Sequence, residues 1–244
     1  VGSKLANDPA CEHLLIRRSL LIAPAAALVL LLAVVPSIAS SEGVLVLHGS
    51  QGSSHPRFSV EGSDLVLHKY QPGGSGCRST HPGFRCPLGS YGRVEIIMGP
   101  SDDKVEIDSA MPVPVTVRLG GGSDKFIGND EPDTCYPEGA KRNRCYGNGG
   151  NDVCITGNRN SDCVGGPGDD YCKHGDGSDG CWGGPGDDVC VMGAGEDGCH
   201  GGPGNDRLYG GPGADQLYGG PGNDFCDGGP GRGKSHGCER GPRH

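Results

Sequence analysis

A nine-residue repeat constrains what the second half of this chain can become. GGPGDDYCK begins at Gly165, GGPGDDVCV at Gly183, GGPGNDRLY at Gly201, GGPGADQLY at Gly210 and GGPGNDFCD at Gly219. The frame runs back through TGNRNSDCV at Thr156 to GNGGNDVCI at Gly147, and HGDGSDGCW at His174 and MGAGEDGCH at Met192 fall in step without a gap. Ten units therefore fit between Gly147 and His236. Self-similarity at so short a period builds stacked copies of one small unit rather than a single packed core. Units at 147, 165, 183, 201 and 219 keep Gly at positions 1 and 4 and Asp at position 6, whereas those at 156, 174 and 192 are degenerate. The alternation implies a structural period of eighteen, two units per coil.

Glycine supplies 29 of the 87 residues from Gly147 to Gly233. A collagen triple helix is excluded, because it needs glycine at every third position and the period here is nine. Disorder, the other outcome open to a glycine-rich acidic tract, is opposed by the fixed placement of Asp and of an apolar residue in each unit. The formal charge of −9 argues against a nucleic-acid partner, which requires clustered positive charge. From Gly147 to Asp227 there are 14 acidic residues against Arg159, Lys173 and Arg207, so the repeat carries the imbalance and a cationic partner fits it.

Thirteen cysteines suit an oxidising compartment, where they can staple a thin core. Arg17 and Arg18 precede an apolar run from Leu20 to Val35, interrupted by Pro24, and Pro36, Ser37, Ile38 and Ala39 then supply a small-residue cleavage region. Residues 1–39 are expected to be a secretory signal peptide, with 1–13 an over-extended start; a retained anchor over Ser19 to Ala39 is the alternative. The expectation is a secreted, extracellular protein with no membrane association after cleavage. Loss of Cys11 would leave twelve cysteines, an even number.

The units resemble the GGxGxDxUx pattern of RTX calcium-binding nonapeptide repeats. Weaker matches lie upstream in MGPSDDKVE at Met98 and LGGGSDKFI at Leu119, with Asp103 and Asp124 at the sixth position. The resemblance implies an all-β fold, a parallel β-roll or β-helix solenoid over 147–236. In the implied coil the last three residues of each unit form a strand whose middle residue points inward, and the first six form a turn. Parallel strands stack about 4.8 Å apart, so each sixth-position Asp sits near that of the next coil. A hard dication accepting carboxylate and carbonyl oxygens relieves the repulsion, and Ca²⁺ suits this better than Mg²⁺. One edge carries Asp152, Asp170, Asp188, Asp206 and Asp224 and the other Asp179, Asp197 and Asp215, which gives six gaps at most. For any one of these, the competing explanation is turn propensity.

The inward position holds Cys154, Cys163, Cys172, Cys181, Cys190 and Cys199, then Leu208, Leu217 and Cys226. Zinc is disfavoured, because CxxC pairs are absent and a nine-residue spacing is unlike a zinc site. Disulfides are expected instead, with Cys154–Cys163, Cys172–Cys181 and Cys190–Cys199 favoured and two stacked pairs plus one cross-core pair as the alternative. Cys77 with Cys86, Cys135 with Cys145 and Cys226 with Cys238 are expected as local clips.

Upstream, VLVL at Val44, LVL at Leu65, VEII at Val94, VEI at Val105 and VPVTV at Val113 read as short strands, with no amphipathic helix. The expected organisation is a β-rich region over 40–120 of degenerate coils or a cap, a connecting insertion with its cysteine clip over 121–146, the calcium-binding roll over 147–236 and a tail over 237–244. His48, His55, His68 and His81 are widely spaced and are read as surface residues. HExxH and GxSxG are absent, and GxGxxG occurs only inside repeat turns, at Gly175 and Gly193. The reading is a non-enzymatic calcium-binding protein with a structural or adhesive role toward cell-surface or matrix components. An exported hydrolase with an unrecognised site in 40–120 is the alternative. Trp182, Tyr209 and Tyr218 fall at the outward ninth position in a stripe interrupted by Lys173, His200 and Asp227, too irregular for ice or polysaccharide binding.

Overall fold

The computed structural model describes residues 91–139 and 142–239, together with Gly89 and the strands that precede it. Those strands are β1 (Arg17–Arg18), β2 (Val44–His48), β3 (Arg57–Glu61), β4 (Asp64–His68), β5 (Arg78–Thr80) and β6 (Gly83–Pro87). The expected signal peptide lies outside the described residues except for β1, which pairs antiparallel with β2. Cys77, His55 and His81 also lie outside them, and with Cys77 the expected Cys77–Cys86 clip.

The chain then winds through β7 (Arg93–Ile97), β8 (Lys104–Ile107), β9 (Val115–Arg118), β10 (Lys125–Ile127), β11 (Thr134–Tyr136) and β12 (Asn143–Tyr146). The repeat follows with β13 (Val153–Ile155), β14 (Ser161–Val164), β15 (Tyr171–Lys173), β16 (Gly180–Trp182), β17 (Val189–Val191), β18 (Gly198–His200), β19 (Arg207–Tyr209), β20 (Gln216–Tyr218), β21 (Phe225–Asp227) and β22 (Lys234–His236). From β7 onward, odd strands form one parallel sheet and even strands another, each strand pairing with those two places away. The result is an all-β solenoid of about eight coils, and no α-helix occurs among the described residues. The three-residue strands coincide with positions 7 to 9 of each unit, and the central residue is buried.

Registers give the coil length directly. Val153 pairs with Tyr171, Tyr171 with Val189 and Val189 with Arg207, eighteen residues at each step. Upstream the step lengthens to nineteen between Lys125 and Arg144 and to twenty-one between Lys104 and Lys125. Residues 121–146, expected as a connecting insertion, are instead part of the solenoid: β10 pairs with β8 and β12, and β11 with β9 and β13. The extra residues are absorbed in the turns, so the strands keep their stacking. At the first end, β3, β4, β6 and β5 form an antiparallel meander that joins the even sheet through β3 and β8. It extends the even sheet past the first coils, at an end where a stack of open coils would otherwise stop.

The core changes character along the axis. Val94, Ile96, Val105, Ile107, Met111, Val115, Val117, Leu119 and Phe126 fill the early coils, whereas the later ones bury Cys154 to Cys199, Leu208, Leu217 and Cys226. A fully buried Val, Leu, Ile or Phe contributes about 1.5–3 kcal/mol, and a cysteine is smaller than any of these. The later coils are therefore thinly stabilised by burial and lean on their backbone stacking. That stacking is tight: Gly186 has φ +148°, and a Cβ there would collide with the Gly168 carbonyl oxygen of the preceding coil.

Gly186→Ala should accordingly destabilise the solenoid by about 1–3 kcal/mol, because no flexible side chain can yield. Gly157 has open space around its would-be Cβ, and Gly157→Ala should stay within about 0.5 kcal/mol of the parent. Urea unfolding of the two variants would check this, and equal effects would contradict the stacking.

Candidate metal centres between the coils

The sixth-position aspartates form two ladders along the solenoid edges. On the first, the backbone N–H of Asp152 donates to Oδ1 of Asp170 at 2.7 Å, Asp170 to Asp188 at 2.8 Å, Asp188 to Asp206 at 2.9 Å and Asp206 to Asp224 at 2.9 Å. On the second, Ser161 donates to Asp179 at 2.7 Å, Asp179 to Asp197 at 2.8 Å and Asp197 to Asp215 at 3.1 Å. One carboxylate oxygen is thereby spent on holding the coil below. The other, Oδ2, is buried without a hydrogen-bond partner in all eight aspartates from Asp152 to Asp224.

Eight buried, unpartnered carboxylate oxygens are costly unless something positive meets them. On the first edge they gather where metal ligation is possible. A methyl group built on Gly147 would strike both Asp152 Oδ2 and the carbonyl oxygen of Gly165, and one on Gly183 both Asp188 Oδ2 and the carbonyl oxygen of Gly201. Every first-position glycine on this edge thus leaves a gap lined by the carboxylate of its own turn, joined at Gly147, Gly183 and Gly219 by a carbonyl of the next coil. Such a set of hard oxygen donors, bridging two coils, fits calcium.

The two edges are not equivalent. Position 1 is glycine throughout the first edge, but on the second it is Thr156, His174, Met192 and then Gly210. The Thr156, His174 and Met192 side chains are buried where glycine would leave room. The His174 ring sits 3.1 Å from Thr156 Oγ1 and 3.9 Å from Asp179 Oδ1. Burial lowers its pKa to about 4, so it is neutral and supplies no charge to Asp179. Only Gly210, beside Asp215 Oδ2 and the Gly228 carbonyl, restores the oxygen-lined gap on this edge.

Two ladder members escape sequence reading. Asp133 accepts from the Val115 N–H and donates its own N–H to Asp152, both at 2.7 Å, and Asn143 accepts from Asp124 at 2.7 Å. Asp103 and Asp124, the weak upstream matches, are joined by the same bond at 2.8 Å. The nineteen-residue coil puts Asp133 one position out of the nine-residue frame that finds the others, whereas Asn143 is in frame but is an amide in a unit, EGAKRNRCY at Glu138, that lacks glycine at positions 1 and 4. The signal for Asp133 is the GNDEPD turn at Gly128, which keeps Gly at position 1 and Asp at position 6.

Disulfides join Cys135 to Cys145, Cys154 to Cys163 and Cys226 to Cys238, with Cα atoms 6.4, 6.2 and 5.8 Å apart. The expected Cys172–Cys181 and Cys190–Cys199 bonds are not formed: these four cysteines are buried thiols. Cys181, Cys190 and Cys199 bring their sulfurs within 4.8 Å of one another. Each sulfur in this column has several sulfur neighbours, so the stack fills the core without selecting one pair. Burial pushes the Cys181 thiol up to about 11, which keeps it protonated and unreactive at neutral pH. Cys163, Cys172 and His174 also converge, but the Cys163 sulfur is already committed to Cys154.

The outward even face carries a feature that the sequence reading divided. Trp182, His200, Tyr218 and His236 stack with ring planes within 3°, 5° and 16° and centroids 6.1, 4.6 and 5.2 Å apart. His200 interrupts an aromatic stripe only when successive units are read as one face. Separated by sheet, the stripe is continuous, and Lys173 and Asp227 belong to the other sheet. Its ring faces are turned toward one another, so mainly edges are offered to solvent. The hydrolase alternative falls on 40–120, much of which lies outside the described residues.

Without a cation, desolvation raises the aspartates: Asp133, Asp152, Asp170 and Asp188 to about 7, and Asp179, Asp206 and Asp215 to about 6. A carboxyl whose folded pKa lies above its unfolded value of 3.8 binds more protons when folded. Its contribution to stability is complete below pH about 4 and is lost as pH rises through 6 to 7. His174 acts in the opposite sense below its ordinary pKa, but it is one group against seven. Calcium-free protein should therefore melt higher at pH 5 than at pH 8, and calcium should reverse the order by replacing protons at the same oxygens. Calorimetry at both pH values, with and without chelator, checks this; a calcium-free melting point that rises with pH would contradict it.

Among known families, the RTX calcium-binding nonapeptide repeat matches residues 200–233 in four copies. Comparison with curated proteins and with solved structures finds no match. The matched segment spans the turns of Asp206, Asp215 and Asp224, which are built like the turns of Asp152, Asp170 and Asp188 before them. By pattern, coil and turn geometry together, this chain carries RTX-type calcium-binding repeats in a β-solenoid.

Proposed function

We propose that this is an exported calcium-binding protein whose later coils are ordered by Ca²⁺ held between successive turns, and which serves as a rigid structural or adhesive element toward cell-surface or matrix components. The observation that carries the reading is the row of buried Oδ2 atoms without partners, those of Asp152, Asp188, Asp215 and Asp224 sharing their gap with a carbonyl of the next coil. Residues Asp152, Asp170, Asp188, Asp206 and Asp224 supply the main row of ligands, with Asp215 as the best-formed position on the second edge. Asp179 and Asp197 face turns filled by His174 and Met192, which favours few ions there.

Calcium acts on folding more than on chemistry in this reading. Ordering a residue costs roughly 1–2 kcal/mol of backbone entropy, and coils that bury two cysteines offset little of it. A cation that binds only the stacked turns stabilises the folded state by mass action. The early coils, filled by Val, Ile, Leu and Phe, need it less. Export fits the three disulfides among the described residues.

Two outcomes follow. In hydrogen exchange with excess chelator, amides from Asp152 to Asp224 should lose protection by at least tenfold while those of β7 to β9 retain theirs; uniform loss, or none, would contradict calcium-dependent ordering of the later coils. In titration calorimetry, Asp188→Asn should lower the number of bound ions more than Asp179→Asn, because Asp188 lies between two glycine-lined gaps. Equal losses would mean that the two edges bind alike.

A further inference from the structure

The first aspartate ladder does not stop where the nonapeptide pattern stops. Eighteen residues after the turn at Gly219 comes Gly237, whose following sequence, CERGP, has no sixth-position aspartate: Pro242 stands there. Asp224 would thus be the last rung, with its N–H lacking the carboxylate that every rung from Asp133 to Asp206 receives. Instead, the Asp224 N–H donates to Glu239 Oε2 at 2.6 Å, and the Glu239 N–H donates back to the Asp224 carbonyl at 3.0 Å. A side chain one methylene longer, placed three residues earlier in the turn, occupies the position of the missing aspartate.

The gap is otherwise complete. Asp224 is fully buried, and its Oδ2 has no partner. A methyl group on Gly219 would meet both that oxygen and the carbonyl oxygen of Gly237, as at Gly147 and Gly183. Gly237 has φ +65°, the left-handed conformation that lets the chain turn there. Glu239 is held at this point covalently: Cys226, the core residue of β21, is bonded to Cys238, the residue immediately before Glu239. The cross-link joins the last buried rung to the tail and raises the local concentration of the Glu239 carboxylate at the end of the stack.

We propose that Asp224, the Gly237 carbonyl and Glu239 form a terminal calcium site, beyond the last nonapeptide, that is assembled by the Cys226–Cys238 disulfide. The inference rests on the calcium reading of the ladder. It makes the C-terminal tail a ligand-bearing cap that closes the stack with metal, where the first end is extended by a sheet.

Equilibrium dialysis of Ca²⁺ against the full oxidised chain at neutral pH tests it. Glu239→Gln should bind one ion fewer than the parent, and Cys226→Ser/Cys238→Ser should lose that ion or bind it at least tenfold more weakly. Glu196→Gln removes the same charge from an exposed turn residue on the other edge and should leave the number unchanged. A Glu239→Gln protein that binds as many ions as the parent, with equal affinity, overturns the terminal site while leaving the ladder intact. A parent that binds no calcium overturns both. Should the double cysteine variant fail to fold, Glu239→Gln, altered at an exposed side chain, decides alone.

Discussion

The structure depends on a division of labour within one carboxylate. Oδ1 of each sixth-position aspartate accepts the backbone N–H of the preceding rung, and that bond sets the eighteen-residue spacing of the coils. On the first edge, geometry then leaves Oδ2 inside the turn, buried beside the first glycine of its own unit. The glycine must be there because any side chain would occupy the space, and the coil above must contribute a carbonyl because its own glycine stacks directly overhead. Stacking, glycine content and a row of unsatisfied oxygens are three consequences of the same arrangement. A divalent cation held there would turn the last of them from a cost into a gain.

Where this arrangement is kept and where it is abandoned follows the core. Early coils have lengths of nineteen and twenty-one residues, aliphatic interiors and an antiparallel meander at their open end. Later coils have uniform length, glycine at position 1 on one edge and sulfur or leucine inside. On the second edge the interior spills outward, with Thr156, His174 and Met192 filling the turn in place of a ligand gap. The molecule trades hydrophobic filling against metal-ready turns along its axis, and the matched family segment, residues 200–233, lies where that trade has gone furthest toward metal.

Much of this was legible in the residues. The period of eighteen, the two edges and the inward position of each cysteine from Cys154 to Cys199 follow from the repeat alone, because regular turns leave the chain no freedom to drift. What escaped did so for local reasons. Asp133 sits beyond a coil one residue too long, so a frame carried backward by nines passes beside it, and Asn143, though in frame, replaces the carboxylate with an amide in a unit without the repeat glycines. Glu239 reaches the ladder from the wrong turn position with a longer side chain, a substitution visible only once the chain is folded. The aromatic column was divided because consecutive units belong to different sheets. Pairing among Cys172, Cys181, Cys190 and Cys199 is not encoded by spacing, since each sulfur has more than one neighbour at similar distance.

The central claim is the position of the cation, and anomalous scattering from crystals grown with Ca²⁺ tests it most directly. The account places peaks between successive turns of the first edge, each beside the Oδ2 atom of an aspartate and the first-position carbonyl of the next coil, at Asp152 through Asp206. Peaks confined to exposed carboxylates on the outward faces, or a fully ordered stack with no peak along that edge, would contradict it.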